Sequence, residues 1–221
     1  MTSSDDAYTL AFDFWRLLAT EENEVGSSVA LANEKVPLLL SNAAWFPQTD
    51  FQEVASWYTA KSIVPALIVP AVRDEGFEGT LQGSGFTLER AFTFRDLASS
   101  EEADLMTEQV SWAQGRVLGE HLAAHYGQGA YGVHLGAALT AAMQRSPDIV
   151  SFAAYDRDEV AGALVALERG ETLSAMMLSG PLETRLSQEA VSRGLRALVL
   201  EPLPKGVRVE NGRSLERWSI R

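Results

Sequence analysis

Apolar residues recur along this chain at periods that change from segment to segment. Over residues 7–22, AYTLAFDFWRLLATEE, the residues Tyr8, Phe12 with Ala11, Trp15 and Leu18 fall at three- and four-residue spacing, which predicts a helix buried on one side. Ser4 ahead of Asp5 and Asp6 supplies an N-cap with acids in the first turn. VPLLLS (36–41) is a continuous apolar run and predicts a buried strand. FQEVASWYTAKS (51–62) predicts a helix with Phe51, Val54, Ala55 and Tyr58 on one face. IVPALIVP (63–70) reads as a strand that Pro65 and Pro70 place at a sheet edge or cut short, because proline lacks the ladder N–H. Four glycines punctuate GFEGTLQGSG, and FTLERAFTFRDL (86–97) alternates as a straight or bent strand.

The polar stretch ASSEEAD (98–104) predicts a boundary between halves at 1–103 and 104–221. After it, MTEQVSWAQGRVLGEHLAAHY predicts one long helix over about 106–126, and a second follows near 132–145, ended by Pro147 and Asp148. The period then drops to two. IVSFAAYD (149–156), EVAGALVALE (159–168) and ETLSAMMLS (171–179) predict three strands, followed by a helix over 184–193 and the strand LRALVLEP (195–202). Asn211-Gly212 between the alternating runs of VRVENGRSLERWSIR predicts a hairpin.

Composition narrows the classes. A 46% hydrophobic content over 221 residues suffices for a sizeable core. The chain has no cysteine, so disulfides, thiolate metal sites and a cysteine nucleophile are excluded. MTSSDDAYTL lacks the basic and apolar regions of a signal peptide, and no apolar run approaches the roughly 20 residues of a membrane span. The expectation is a cytoplasmic protein with no membrane partner. Residues 1–110 hold 18 acidic and 6 basic side chains, whereas 111–221 hold 12 of each, so the net charge of −12 lies wholly in the first part. From Arg185 to Arg221 the balance is locally basic and mostly Arg, which suits bidentate recognition of an anion; the plainer reading is a solvated surface. No basic stripe is interleaved with aromatics, which argues against nucleic acid as a partner.

GQGAYG (127–132) fits G-x-G-x-x-G, but a helix rather than a strand precedes it, so it reads as a helix–helix turn. His121 and His125 sit four apart on one helix without the Glu that a zinc protease needs after the first His, and no metal site is expected. Phe12, Trp15, Trp45, Trp57 and Trp112 read as core, with some of them available to line a substrate cleft.

The order from about residue 106, and above all SFAAYDRDEVAGALVALERGETLSAMMLSG (151–180), resembles the GNAT N-acetyltransferase superfamily. In that segment Asp156 to Glu159 forms the turn, VAGALVAL matches a core strand, and ETLSAMMLSG matches the strand that flanks acetyl-CoA. LLLSNAAWFP, the helix after it, IVPALIVP and GSGFTLERAFTF resemble a partial copy of the same domain. The resemblance implies an α+β, GNAT-like fold: a mixed, mostly antiparallel sheet flanked by helices, with a partial GNAT-like half at 1–103 and an acyl-CoA-binding half at 104–221. It also implies acetyl-CoA as co-substrate and a small-molecule or peptide amine as acceptor, with a homodimer left open.

The site residues follow from the same resemblance. Backbone N–H groups near Met177 and Leu178 would polarise the thioester carbonyl. Arg185 and the N–H groups of Leu186, Ser187 and Gln188 would hold the pyrophosphate at a helix N-terminus. Glu159 or Glu171, or an intervening water, would take the amine proton, although an acid at a turn is more often simply solvated. The family's loop, Gln/Arg-x-x-Gly-x-Gly/Ala, has no complete match. PLETRLSQEAVSRG has no glycine between Gly180 and Gly194 and carries Glu183, and no Tyr follows Tyr155 to protonate a leaving thiolate. Two functions therefore stand: a GNAT-type N-acetyltransferase moving an acetyl group from acetyl-CoA to an amine, and a catalytically inactive GNAT-like ligand-binding or protein-interaction module.

Overall fold

The structure is a computed structural model that describes residues 4–38, 40–74, 76–98, 106–205, 207–208 and 213–220. The chain forms two compact units, one of residues 1–94 with 201–221 and one of residues 95–200. This differs from a division at 98–104, most of which lies outside the described residues. The C-terminal strand returns to the first unit instead of completing the second, and its pairing partners explain why.

In the first unit, α1 (Ser4–Leu18) leads into a hairpin of β1 (Glu21–Val25) and β2 (Ser28–Ala32), then β3 (Ala43–Trp45), α2 (Phe51–Ala60), β4 (Ala66–Pro70), α3 (Phe77–Gly83) and β5 (Thr87–Asp96). Tyr8, Trp15 and Leu18 are buried as the spacing predicts, with Phe14 beside them. The side chains at the predicted Ser4 cap lie outside those described. Phe51, Val54, Ala55 and Tyr58 form the buried face of α2. The run 36–41 is not a strand among the described residues. Its carbonyls are met by side chains: Ser41 Oγ donates to Val36 and Leu38 at 2.7 and 3.0 Å, and Asn42 Nδ2 donates to Val36 at 3.4 Å and to Asn33, just ahead of the run, at 3.2 Å. A buried loop can replace a strand on those terms. β4 is an interior strand, not an edge, since Pro65 precedes it and Pro70 closes it, and Leu67, Ile68 and Val69 keep their N–H groups.

The second unit begins with β6 (Met106–Gln109), where the long predicted helix gives way to strand, then a short 3₁₀ turn at Trp112–Gln114 and α4 (Gly115–His125). Ser111 and Gln114 form a capping box, which fixes the helical start there. Trp112 is exposed rather than core, whereas Trp15 and Trp45 are buried. GQGAYG makes the turn into α5 (Gly132–Arg145). Then come β7 (Ile149–Asp156), β8 (Glu159–Arg169), β9 (Thr172–Ser179), α6 (Glu183–Ser192) and β10 (Arg196–Pro202), each within a residue or so of its predicted span.

β11 (Ser214–Ser219) follows, and the Asn211-Gly212 turn predicted before it lies outside the described residues. β11 pairs with β4 on one side and β5 on the other, so the first unit's strand order is β1-β2-β3-β4-β11-β5. The second unit's order is β10-β9-β8-β7-β6. Only β3–β4 and β9–β10 run parallel among the pairs in these orders, and each is joined by one helix. The class is the expected one, a mixed, mostly antiparallel sheet arrangement with flanking helices.

Candidate functional site

β9 and β10 pair in parallel from Thr172↔Arg196 to Ala175↔Val199 and no further. β9 continues through Met176, Met177, Leu178 and Ser179 without β10 beside it. On its other edge it stays paired with β8, where Val165 faces Met177 and Ala166 faces Ala175. Met176 is therefore a bulge residue, and a bulge bends and re-aims its strand. The two parallel strands thus form a fork whose β9 arm carries main-chain groups in need of partners.

One of those partners is a side chain. Tyr126 ends α4, and its hydroxyl accepts the Leu178 N–H at 3.1 Å and donates to the Leu178 carbonyl at 3.3 Å. Burial pushes the phenol's pKa above its ordinary value, opposed in part by the Leu178 hydrogen bond, so at neutral pH the hydroxyl keeps its proton. α4 is held in place by an unusually close neighbour: a Cβ added to Gly119 would lie 2.1 Å from the Gly136 nitrogen on α5. Only glycines let the two backbones approach in this way.

The loop after β9 is Gly180-Pro181-Leu182. Gly180 has φ +71°, and a Cβ there would meet the Ala161 carbonyl oxygen at 2.6 Å, so the loop lies flat against β8. Leu182 and Leu186 are fully buried in the core with Phe152, Leu164 and Val199. This is a filled loop, not an open nest of N–H groups. α6 starts at Glu183, and the Leu186 N–H donates to the Leu182 carbonyl at 3.0 Å. The three donors expected to hold a pyrophosphate, Leu186, Ser187 and Gln188, therefore sit beyond the helix's first three residues, past the N–H groups that a helix start leaves over. Ser187 is buried with its hydroxyl donating to the Ala98 carbonyl at 3.3 Å. Glu183 accepts from Arg95 at 2.9 Å. Arg185 turns onto the Phe152 ring, 4.8 Å from its centroid, and pairs with Glu189 at 3.1 Å.

The two predicted bases are not brought together. Glu159 opens β8 opposite Asp156, exposed, and Ala163 of the same strand pairs with Ser179, so Glu159 lies at the end of β8 nearer the fork. Glu171 is exposed at the turn into β9, at the paired end, on the order of 20 Å along the strand from Leu178. Its carbonyl accepts the Arg196 N–H at 2.8 Å. The arginines of the C-terminal stretch engage carboxylates: Arg193 with Glu189 and Glu168, Arg196 with Asp96, Arg208 with Glu78, and Arg217 with Glu89. Burial of His121, with His125 nearby, holds its imidazole below its usual pKa, and no group of three metal-ligating side chains occurs among the described residues.

Sequence reasoning missed three features. Tyr126 carried one signal, a tyrosine at a helix end before Gly127. The Met176 bulge carried none, since it exists only in the pairing with β8. In the first unit, Glu216 is buried and takes Trp218 Nε1 at 2.9 Å and Arg73 at 2.7 Å. The charges of LERWS, on a strand buried throughout, pointed to such a pair.

No protein-family model matches the sequence, and no curated protein matches it. Solved structures do. A GCN5-related N-acetyltransferase from Kribbella flavida is similar with a TM-score of 0.62 at 11% identity, over 97% of this chain and 95% of that one. A functionally unknown conserved protein from Staphylococcus epidermidis is similar with a TM-score of 0.57 at 11% identity, over 91% and 93%. At this identity the likeness establishes the GNAT fold for the chain, and the fold alone.

Proposed function

We propose that the second unit is an N-acyltransferase site in which an acyl thioester lies along β9 and gives its acyl group, an acetyl in the simplest case, to an amine. The observation that carries this reading is the fork: β9 leaves β10 after Ala175, and the Leu178 main-chain groups are met by an exchangeable hydroxyl instead of a strand. A main-chain N–H elsewhere on this arm of β9, which β10 leaves uncovered beyond Ala175, can polarise a thioester carbonyl. The amine nitrogen attacks that carbon, the C–N bond forms, the C–S bond breaks, and the thiolate leaves. The amine's proton passes to water or to a carboxylate, Glu159 or Glu171, of which Glu159 lies at the strand end nearer the fork. The acceptor is a small molecule or peptide amine, and the place of work is the cytoplasm; among the described residues no helix is long and apolar enough to cross a membrane. Titration calorimetry with acetyl-CoA and CoA tests the proposal, and no heat at millimolar ligand would end it.

A second reading has its own support. The leucine-filled loop and Glu183 at the start of α6 favour a GNAT-fold module that binds a ligand or a protein without catalysis. Acetyl transfer to any member of an amine panel would dispose of that reading.

A further inference from the structure

The fork and the loop beyond it offer very different partners to an acyl thioester of coenzyme A. Leu178 presents one N–H and one C=O, and a single hydroxyl satisfies both, at 3.1 and 3.3 Å. A secondary amide has the same complement, a carbonyl to accept and an N–H to donate, and makes such pairs along any strand edge. The pantetheine arm of coenzyme A contains two amides. Its pyrophosphate, by contrast, needs free N–H groups or cations. Here the loop is packed with Leu182 and Leu186, Glu183 stands at the first position of α6, and Arg185 is committed to Glu189 and the Phe152 face. The residues present fit the arm; the N–H groups that the start of α6 leaves over begin at Glu183, whose carboxylate opposes a pyrophosphate.

We propose that Tyr126 is a removable cap on an amide-binding subsite at Leu178, and that this fork selects its acyl donor by the pantetheine arm with no contribution from a nucleotide. The proposal rests on the acyltransferase reading and deepens it. A ligand amide entering the fork exchanges places with the phenol, which swings away from Leu178. In the native protein that exchange is close to neutral in hydrogen bonds, so the cap weakens every donor equally. Without the hydroxyl, the ligand gains bonds that were otherwise made internally.

The test is calorimetry of the wild-type protein and of Tyr126→Phe with acetyl-CoA and with the acetyl thioester of pantetheine. Wild type is expected to bind the two within about threefold of each other, and Tyr126→Phe to bind both about tenfold more tightly. Hydrogen exchange gives a readout independent of ligand: the Leu178 amide should lose protection in Tyr126→Phe while the amides of α4 and α5 keep theirs. Acetyl-CoA binding more than about thirtyfold tighter than acetyl-pantetheine would show a nucleotide grip and overturn the proposal. So would unchanged or weaker affinities in Tyr126→Phe, or a Leu178 amide as protected as before. If neither thioester binds either protein, the acyltransferase reading falls as well, which separates its failure from that of the cap.

Discussion

The path β1-β2-β3-α2-β4 in the first unit and β7-β8-β9-α6-β10 in the second is the same: two antiparallel steps, a helix, and a return parallel to the third strand. The third strand ends differently in each. In the first unit β3 stops at Trp45, and the next residue, Phe46, donates its N–H to the Ile68 carbonyl on β4 at 3.2 Å. Phe46 does so at φ +59°, a costly conformation for a side chain of that size, held by its rings' neighbours Phe12 and Trp45 at 5.7 and 5.9 Å. In the second unit β9 runs on past its last partner, and Leu178 is met by one tyrosine hydroxyl. A junction closed by main chain and aromatic packing opens only if the strand ends unfold. A junction closed by a hydroxyl opens by one side-chain rotation. The same topology therefore yields a sealed junction and an openable one, and the second is where the proposed ligand would enter.

The sharpest way to separate the two units is to remove β11. Deleting residues 214–221 takes away the strand between β4 and β5, with fully buried Leu215 and Trp218. The loss should exceed the roughly 3–5 kcal/mol that truncating one buried Trp costs. Hydrogen exchange should show β4 and β5 unprotected while β7, β8 and β9 remain protected. Protected β4 and β5 amides would mean that the first unit does not depend on its borrowed strand.

The loops after β3 and β9 come next. Leu182→Ala should cost about 2–5 kcal/mol in a urea titration, because it empties a filled core position. In the first unit's loop, Asp50 accepts the Ser27 N–H at 3.1 Å in an exposed setting, so Asp50→Ala should cost only about 0.5–1.5 kcal/mol. Equal losses would contradict a packed second loop. Glu183→Ala should cost at most about 0.5 kcal/mol, since its pair with Arg95 is half in solvent, with 42% and 44% of the side chains exposed. A larger loss would mean that this ion pair, not the leucines, holds the loop shut.

What could be read from sequence follows the local or long-range origin of each feature. The helix at 51–60 and the strands of 149–179 are written in apolar spacing, which is local, and they are legible to within two residues. The start of α4 was misread because MTEQ joins a sheet only through its pairing with β7, a tertiary choice. Val36, Leu38 and Leu40 are buried as a strand would bury them, yet Ser41 and Asn42 hold the backbone as a loop. Met177 and Leu178 sit at the fork because ETLSAMMLS is a strand, but the bulge at Met176 depends on pairing with β8 and the fork on where β10 stops pairing. Arg185 looked like an anion site because sequence shows a side chain's charge and not its partner; Glu189, one turn on, already claims it.

The smallest effect tests the cap itself. Burial raises the Tyr126 pKa above its ordinary value of 10.0, so the folded state holds the phenol's proton more tightly than the unfolded chain does. The resulting stabilisation is fully present below the unfolded value and is lost as pH rises through the folded one. Tyr58 is raised in the same direction by its burial, but it is common to wild type and Tyr126→Phe and cancels in their difference. Urea titrations of both proteins between about pH 8 and pH 11 should therefore show a constant stability difference at the lower end and a shrinking one at the upper end. The change should be small, because 38% of Tyr126 remains exposed and solvent screens much of the cost. A phenolate can still accept the Leu178 N–H but no longer donate to its carbonyl, so the amide should stay protected after the stability difference begins to fall. A difference that stays flat across the whole range would show that the hydroxyl titrates as if in water, and that the second unit's junction is held by something other than Tyr126.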